Sequence, residues 1–114
     1  MADKLNKTES LYVDTIASSS IPVSGNSQWH NTGIVAIDWS LYRKVVVRIG
    51  SHGATSNSII IDSDVMRALG SNQIAISSFW NSGNLVTAEV NMNGYFISAK
   101  TETFACDYYI YGLR

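Results

Sequence analysis

The sequence predicts an all-β fold: an antiparallel β-sandwich or jelly roll of about eight strands, with one short helix near residues 63–69. Three observations lead there. Short runs rich in β-branched and aromatic residues recur between clusters of Ser, Gly and Asn. Inside several runs, apolar and polar residues alternate with the period of a strand that has one dry face. Finally, Met92-Asn93-Gly94-Tyr95 carries the Asn-Gly pair that most readily takes φ > 0 at both centres of a hairpin turn.

Residues 1–10 are polar and without period, which predicts a flexible leader ahead of a single β-sandwich domain over 11–114. The strand-like runs are then 11–16, 21–23, 32–38, 42–49, 58–62, 73–80, 85–92 and 95–100, with a closing run over 106–113. Pro22 demotes its short run to an edge or entry strand, because proline donates no ladder hydrogen bond. In 42–49, Val45, Val47 and Ile49 share one face and Lys44, Val46 and Arg48 the other. Ile74 and Ile76 likewise oppose Gln73, Ala75 and Ser77, and Asn81-Ser82-Gly83-Asn84 then offers a second hairpin loop. Between these runs, Asp62 is a helix N-cap, Asp64 an acid in the first turn and Gly70 a terminator. Val65, Met66 and Leu69 form the expected apolar side of that helix, which would plug the end of the sandwich.

A two-residue loop at Asn93-Gly94 sets a register by counting outward. It pairs Met92 with Tyr95, Asn91 with Phe96, Val90 with Ile97, Glu89 with Ser98 and Ala88 with Ala99. Val86, Ala88, Val90, Met92, Tyr95, Ile97 and Ala99 then line one face. Thr87, Glu89, Asn91, Phe96, Ser98 and Lys100 line the other, a wet face carrying one aromatic.

Hydrophobic residues are 46% of the 114 and charged residues 15%, against roughly 25% in ordinary soluble domains. So neutral a surface suits protein association or glycan contact. The formal net charge of −1 gives no footprint for a nucleic-acid backbone or an anionic membrane, and no run is long and apolar enough for membrane insertion. The single cysteine, Cys106, excludes an intrachain disulfide and is expected to pack as a buried hydrophobe.

No motif anchors catalysis, a cofactor or a metal. His30 and His52 sit among loop-type residues without convergent ligands, and Asp62-Ser63-Asp64 is explained by helix capping. Aromatic placement is more informative. Trp29-His30 lies in a Ser/Gly/Asn-rich loop, Trp39 ends a strand, and Trp80 opens the Asn81 to Asn84 loop. Trp39 reads as core. Trp29 and Trp80 either plug the ends of the core or stack on a sugar ring whose hydroxyls Asn31, Asn81 and Asn84 would bond. The candidate ligand-binding residues are thus Trp29, His30, Asn31, Trp80, Asn81 and Asn84. In the last run, alternation sets Tyr108 and Ile110 against Tyr109 and Tyr111, so the second pair marks either an oligomer interface or a strand buried on both sides. Phe96 joins Tyr109 and Tyr111 as a candidate interface residue.

A short polar leader, a charge-poor β domain rich in Ser, Asn and Gly, and the final Tyr108-Tyr109-Ile110-Tyr111-Gly112-Leu113-Arg114 together resemble the receptor-binding tip domains of bacteriophage tail fibres and related prophage tail proteins. That resemblance spans roughly residues 11–114. It implies a homotrimeric tip that binds a glycan or protein on a bacterial surface, has no chemistry of its own, is made in the bacterial host cytoplasm and ends in the virion. Two alternatives stand beside it. One is a purely structural tail or virion subunit that mediates oligomer contacts. The other is a small polysaccharide-degrading enzyme, which needs two carboxylates converging at roughly 5–10 Å.

Overall fold

A computed structural model describes residues 12–51 and 55–114. His52 and the polar leader 1–10 lie outside the described residues. Eight strands and one helix follow in the order β1 (Val13–Ile21), β2 (Trp29–Val35), β3 (Lys44–Ser51), β4 (Thr55–Asp62), α1 (Ser63–Leu69), β5 (Ile74–Asn81), β6 (Asn84–Asn91), β7 (Gly94–Thr101) and β8 (Cys106–Leu113). They form two antiparallel four-stranded sheets, sheet A in the order β1-β8-β3-β4 and sheet B in the order β2-β7-β6-β5. The sheets pack as a sandwich, as the alternation predicts.

Each inner face is an alternating set of strand residues. Val45, Val47 and Ile49 of β3 are buried with Ile110 of β8 and Ile61 of β4. Against them lie Val86, Ala88 and Val90 of β6 and Tyr95, Ile97 and Ala99 of β7. Trp39 closes one end, 4% exposed, with its indole N–H donating to the Asn91 carbonyl at 3.2 Å. Cys106 is buried as expected, and desolvation pushes its thiol up to about 12.

The helix forms where its capping residues place it. The Asp62 carboxylate accepts from the Asp64 N–H at 2.8 Å, and Gly70 terminates the helix at φ 63. Its buried stripe differs from the expected one. Ser63 and Met66 are buried and Leu69 half-buried, whereas Val65 is exposed. Seven residues can turn only one narrow stripe inward, and the spacing of three selects 63, 66 and 69.

Three further expectations are corrected. The run at 21–23 is no strand of its own: β1 ends at Ile21, because Pro22 cannot extend the ladder. Trp29-His30 is no loop, since β2 begins at Trp29 and pairs residue by residue with Lys100, Ala99 and Ser98 of β7. A partner strand overrides the local composition there. The β6–β7 loop is Met92-Asn93, so Asn91 faces Gly94, Val90 faces Tyr95, Glu89 faces Phe96 and Ala88 faces Ile97. The Asn91 side chain accepts from the Asn93 N–H at 2.8 Å and draws the turn one residue back. Gly94 is thereby freed to start β7 at φ 133, where a Cβ would stand 1.9 Å from the Val35 carbonyl oxygen. Each partner moves by two positions, so the inner and outer faces keep their members, apart from the loop residue Met92.

Candidate functional site

The strand order of sheet B turns separate alternations into rows that cross its outer face. One row is Trp29, Lys100, Leu85 and Phe79, taken from β2 to β5. The next is Asn31, Ser98, Thr87 and Ser77, and the third is Ile34, Phe96, Glu89 and Ala75. Each row spans three strand spacings, about 14 Å. Large apolar groups on it meet solvent: Ile34 is 70% exposed, Phe79 64% and Trp29 49%. The Lys100 ammonium lies 5.1 Å from the Trp29 ring centroid, a cation–π contact that holds the indole on this face. Two shallow depressions of about 270 Å³ each lie on either side of the Phe96 and Glu89 pair. Trp29, Thr87 and Ser98 complete one, and Ile34, Gln73, Asn91, Gly94 and Tyr95 complete the other.

The expected ligand residues fall into two groups that the fold does not bring together. Trp29 and Asn31 belong to the outer face of sheet B, on edge strand β2. His30 alternates with them, pairs with Ala99, and places its Nε2 3.1 Å from the Asn26 carbonyl Oδ1. Trp80, Asn81 and Asn84 sit around the β5–β6 hairpin at the opposite edge of the sheet. Trp80 meets Phe104 edge to face at 6.3 Å.

Asn84 is 2% exposed and works as an internal staple. Its carbonyl oxygen accepts from the Thr103 and Phe104 N–H groups, each at 2.9 Å, and its amide donates to the Asn81 Oδ1 at 2.9 Å. Asn81 also accepts from the Gly83 N–H at 3.0 Å. These side chains hold two loops in place.

The expected interface residues are divided as well. Phe96 is on the outer face of sheet B, while Tyr109 and Tyr111 are half-buried on the outer face of sheet A. There Tyr111 stands in a row with Thr15, Val46 and Ile60, of which Ile60 is 64% exposed. Tyr109 stands beside Ser18, Arg48 and Ser58.

Most carboxylates near the ends of the sandwich are engaged locally. Arg114 donates to the Asp14 Oδ2 from two nitrogens, at 2.7 and 2.9 Å, and the Tyr42 hydroxyl donates to the same atom at 2.9 Å. These bonds hold the Asp14 carboxyl below its ordinary value, Arg114 first and Tyr42 second. Asp38 is lowered chiefly by the Ser40 hydroxyl, Asp62 caps α1, and Asp64 pairs with Arg67 at 2.7 Å. Among the described residues, no three His, Cys, Asp or Glu side chains gather to hold a metal ion.

Fold and site together define a two-layer antiparallel β-sandwich that presents an aromatic and hydroxyl-rich sheet face to solvent. No protein-family model matches the chain, and comparison with curated proteins and with solved structures finds no significant match.

Proposed function

We propose that this chain is a non-catalytic receptor-binding module of the phage tail-fibre type, presented as a homotrimer on a virion and recognising a glycan or protein on a bacterial surface. The observation that carries the reading is the outer face of sheet B. There Trp29, Phe96 and Phe79 stand exposed or half-exposed around a row of short hydroxyl and amide side chains. Aromatic faces take the CH faces of a sugar, and hydroxyls both donate to and accept from its OH groups. With Asn84 committed inside the fold and Trp80 packed on Phe104, binding is assigned to Trp29, Asn31 and their neighbours. Shallow sites of this kind are weak singly, and three copies on one tip raise the avidity. Glu89 is the one carboxylate in the three rows of this face, whereas hydrolysis of a glycoside needs a convergent pair, which supports recognition over hydrolysis.

The test is binding of labelled protein to a panel of bacterial strains and to an array of bacterial glycans. Binding to at least one surface, without release of sugar fragments, is the expected result. An oligomer that binds nothing would favour the second reading, a structural subunit. That reading is favoured by the apolar row on the outer face of sheet A, where half-buried Tyr111 and Val46 lie beside exposed Ile60.

A further inference from the structure

The outer face of sheet B has relief. The middle of its three rows is built of short hydroxyl and amide side chains. The flanks carry bulk over β2, β7 and β6, with Trp29, Lys100 and Leu85 on one side and Ile34, Phe96 and Glu89 on the other, whereas at β5 Phe79 is opposed only by Ala75. Alternate residues on a strand are about 6.7 Å apart, so the two flanks stand about 13 Å from each other. A polar trough therefore runs across the strands. The depression bounded by Trp29, Phe96, Thr87, Ser98 and Glu89 covers its course over β2, β7 and β6. Its β2 end lies at one edge of the sheet, and at its β5 end the Asn57 side chain of β4 donates to the Ser77 carbonyl at 3.0 Å.

We infer that the trough holds an uncharged, extended oligosaccharide laid across the strands, an assignment that rests on the receptor-binding reading above and specifies its ligand. Three features select that chemistry. A floor of hydroxyl groups can exchange hydrogen bonds with ring hydroxyls in either direction. Apolar ring faces on both flanks can cover the CH surface of successive sugars. The charges of the three rows are Lys100 and Glu89, one of each sign, so the face offers a polyanion no net attraction and complements a neutral chain. A trough that crosses three strands, about 10 Å, reads successive sugars of a chain.

The experiment titrates the whole protein with gluco-, manno- and N-acetylchito-oligosaccharides from monosaccharide to hexasaccharide, and with oligogalacturonate as the anionic probe, following amide NMR shifts and affinity. Affinity is expected to rise with length until the chain spans the trough, then level off. Shifts should gather at the Thr87 and Ser98 amides and the Trp29 indole N–H. Trp29→Ala and Phe96→Ala, whose folding is checked by circular dichroism, should each weaken binding at least about tenfold, the usual scale for loss of an aromatic anchor. Affinity independent of length, preference for oligogalacturonate, shifts elsewhere, or none with any neutral series overturns the inference. Shifts at the same amides on concentrating the protein alone identify a second copy as the occupant and overturn it equally. Cell binding that survives both substitutions ends the trough assignment and leaves the receptor reading standing, whereas absence of cell binding by the unaltered protein ends both.

Discussion

At the scale of single residues, two positions show how much can hang on one atom. Gly94 combines φ 133 with a backbone approach so close that a Cβ would stand 1.9 Å from the Val35 oxygen. Backbone cannot yield as a side-chain tip can, so Gly94→Ala should cost about 3 kcal/mol, read as a fall in the urea midpoint. Asp14 carries a different dependence. Its folded carboxyl titrates below the ordinary 3.8 because Arg114 and Tyr42 donate to it, so between the two values the unfolded chain binds more protons. The stability it contributes is complete above the ordinary value and disappears as the pH falls through the lowered one. Thermal melts across the acid range should therefore lose stability less steeply in Asp14→Asn than in the parent.

At the scale of elements, loops and hairpins are held by side chains that composition alone would assign to a ligand. Asn84 bonds two N–H groups of the β7–β8 turn and the Asn81 side chain of its own hairpin. Asn84→Ala would strand buried donors and should destabilise by about 2–4 kcal/mol, while Asn31→Ala, which loses one exposed bond from the Gly33 N–H at 3.1 Å, should cost no more than about 1 kcal/mol. Chemical denaturation of the pair checks the contrast. The helix follows its caps closely, since Asp62 and Gly70 act within a few residues of themselves. The hairpin register did not follow the Asn-Gly pair, because the Asn91 side chain and the Val35 backbone both act on that turn, and Val35 is distant in sequence.

At the scale of the whole molecule, β8 lies between β1 and β3, so the last strand of the sequence is interior to sheet A. Gly112 makes room in that strand for the Tyr42 ring, which in turn reaches Asp14. Outside the sandwich, the two sheets present separate exposed faces, and Phe96 is divided from Tyr109 and Tyr111 by the whole core. If sheet A mediates assembly, Ile60→Glu should place a charge in the row beside Val46 and Tyr111 and shift micromolar protein to monomer in sedimentation velocity. The same substitution should leave glycan binding per subunit unchanged, because it lies on the other face.

What the amino-acid order determined by itself was local and periodic. Alternation assigned Val86, Ala88, Val90, Tyr95, Ile97 and Ala99 to the core and Thr87, Glu89, Phe96 and Ser98 to the wet face, because a strand repeats every two residues whichever partner it finds. The caps of α1 were equally legible, being contacts between near neighbours. Only the tertiary structure decided which strands lie side by side. Trp29 and Phe79 are 50 positions apart in the chain, and only the order β2-β7-β6-β5 sets them at the two ends of one row. Trp80, one residue from Phe79, was instead turned to Phe104. The candidate site is a property of rows across a sheet, and those are settled by long-range pairing and burial, which no stretch of sequence encodes alone.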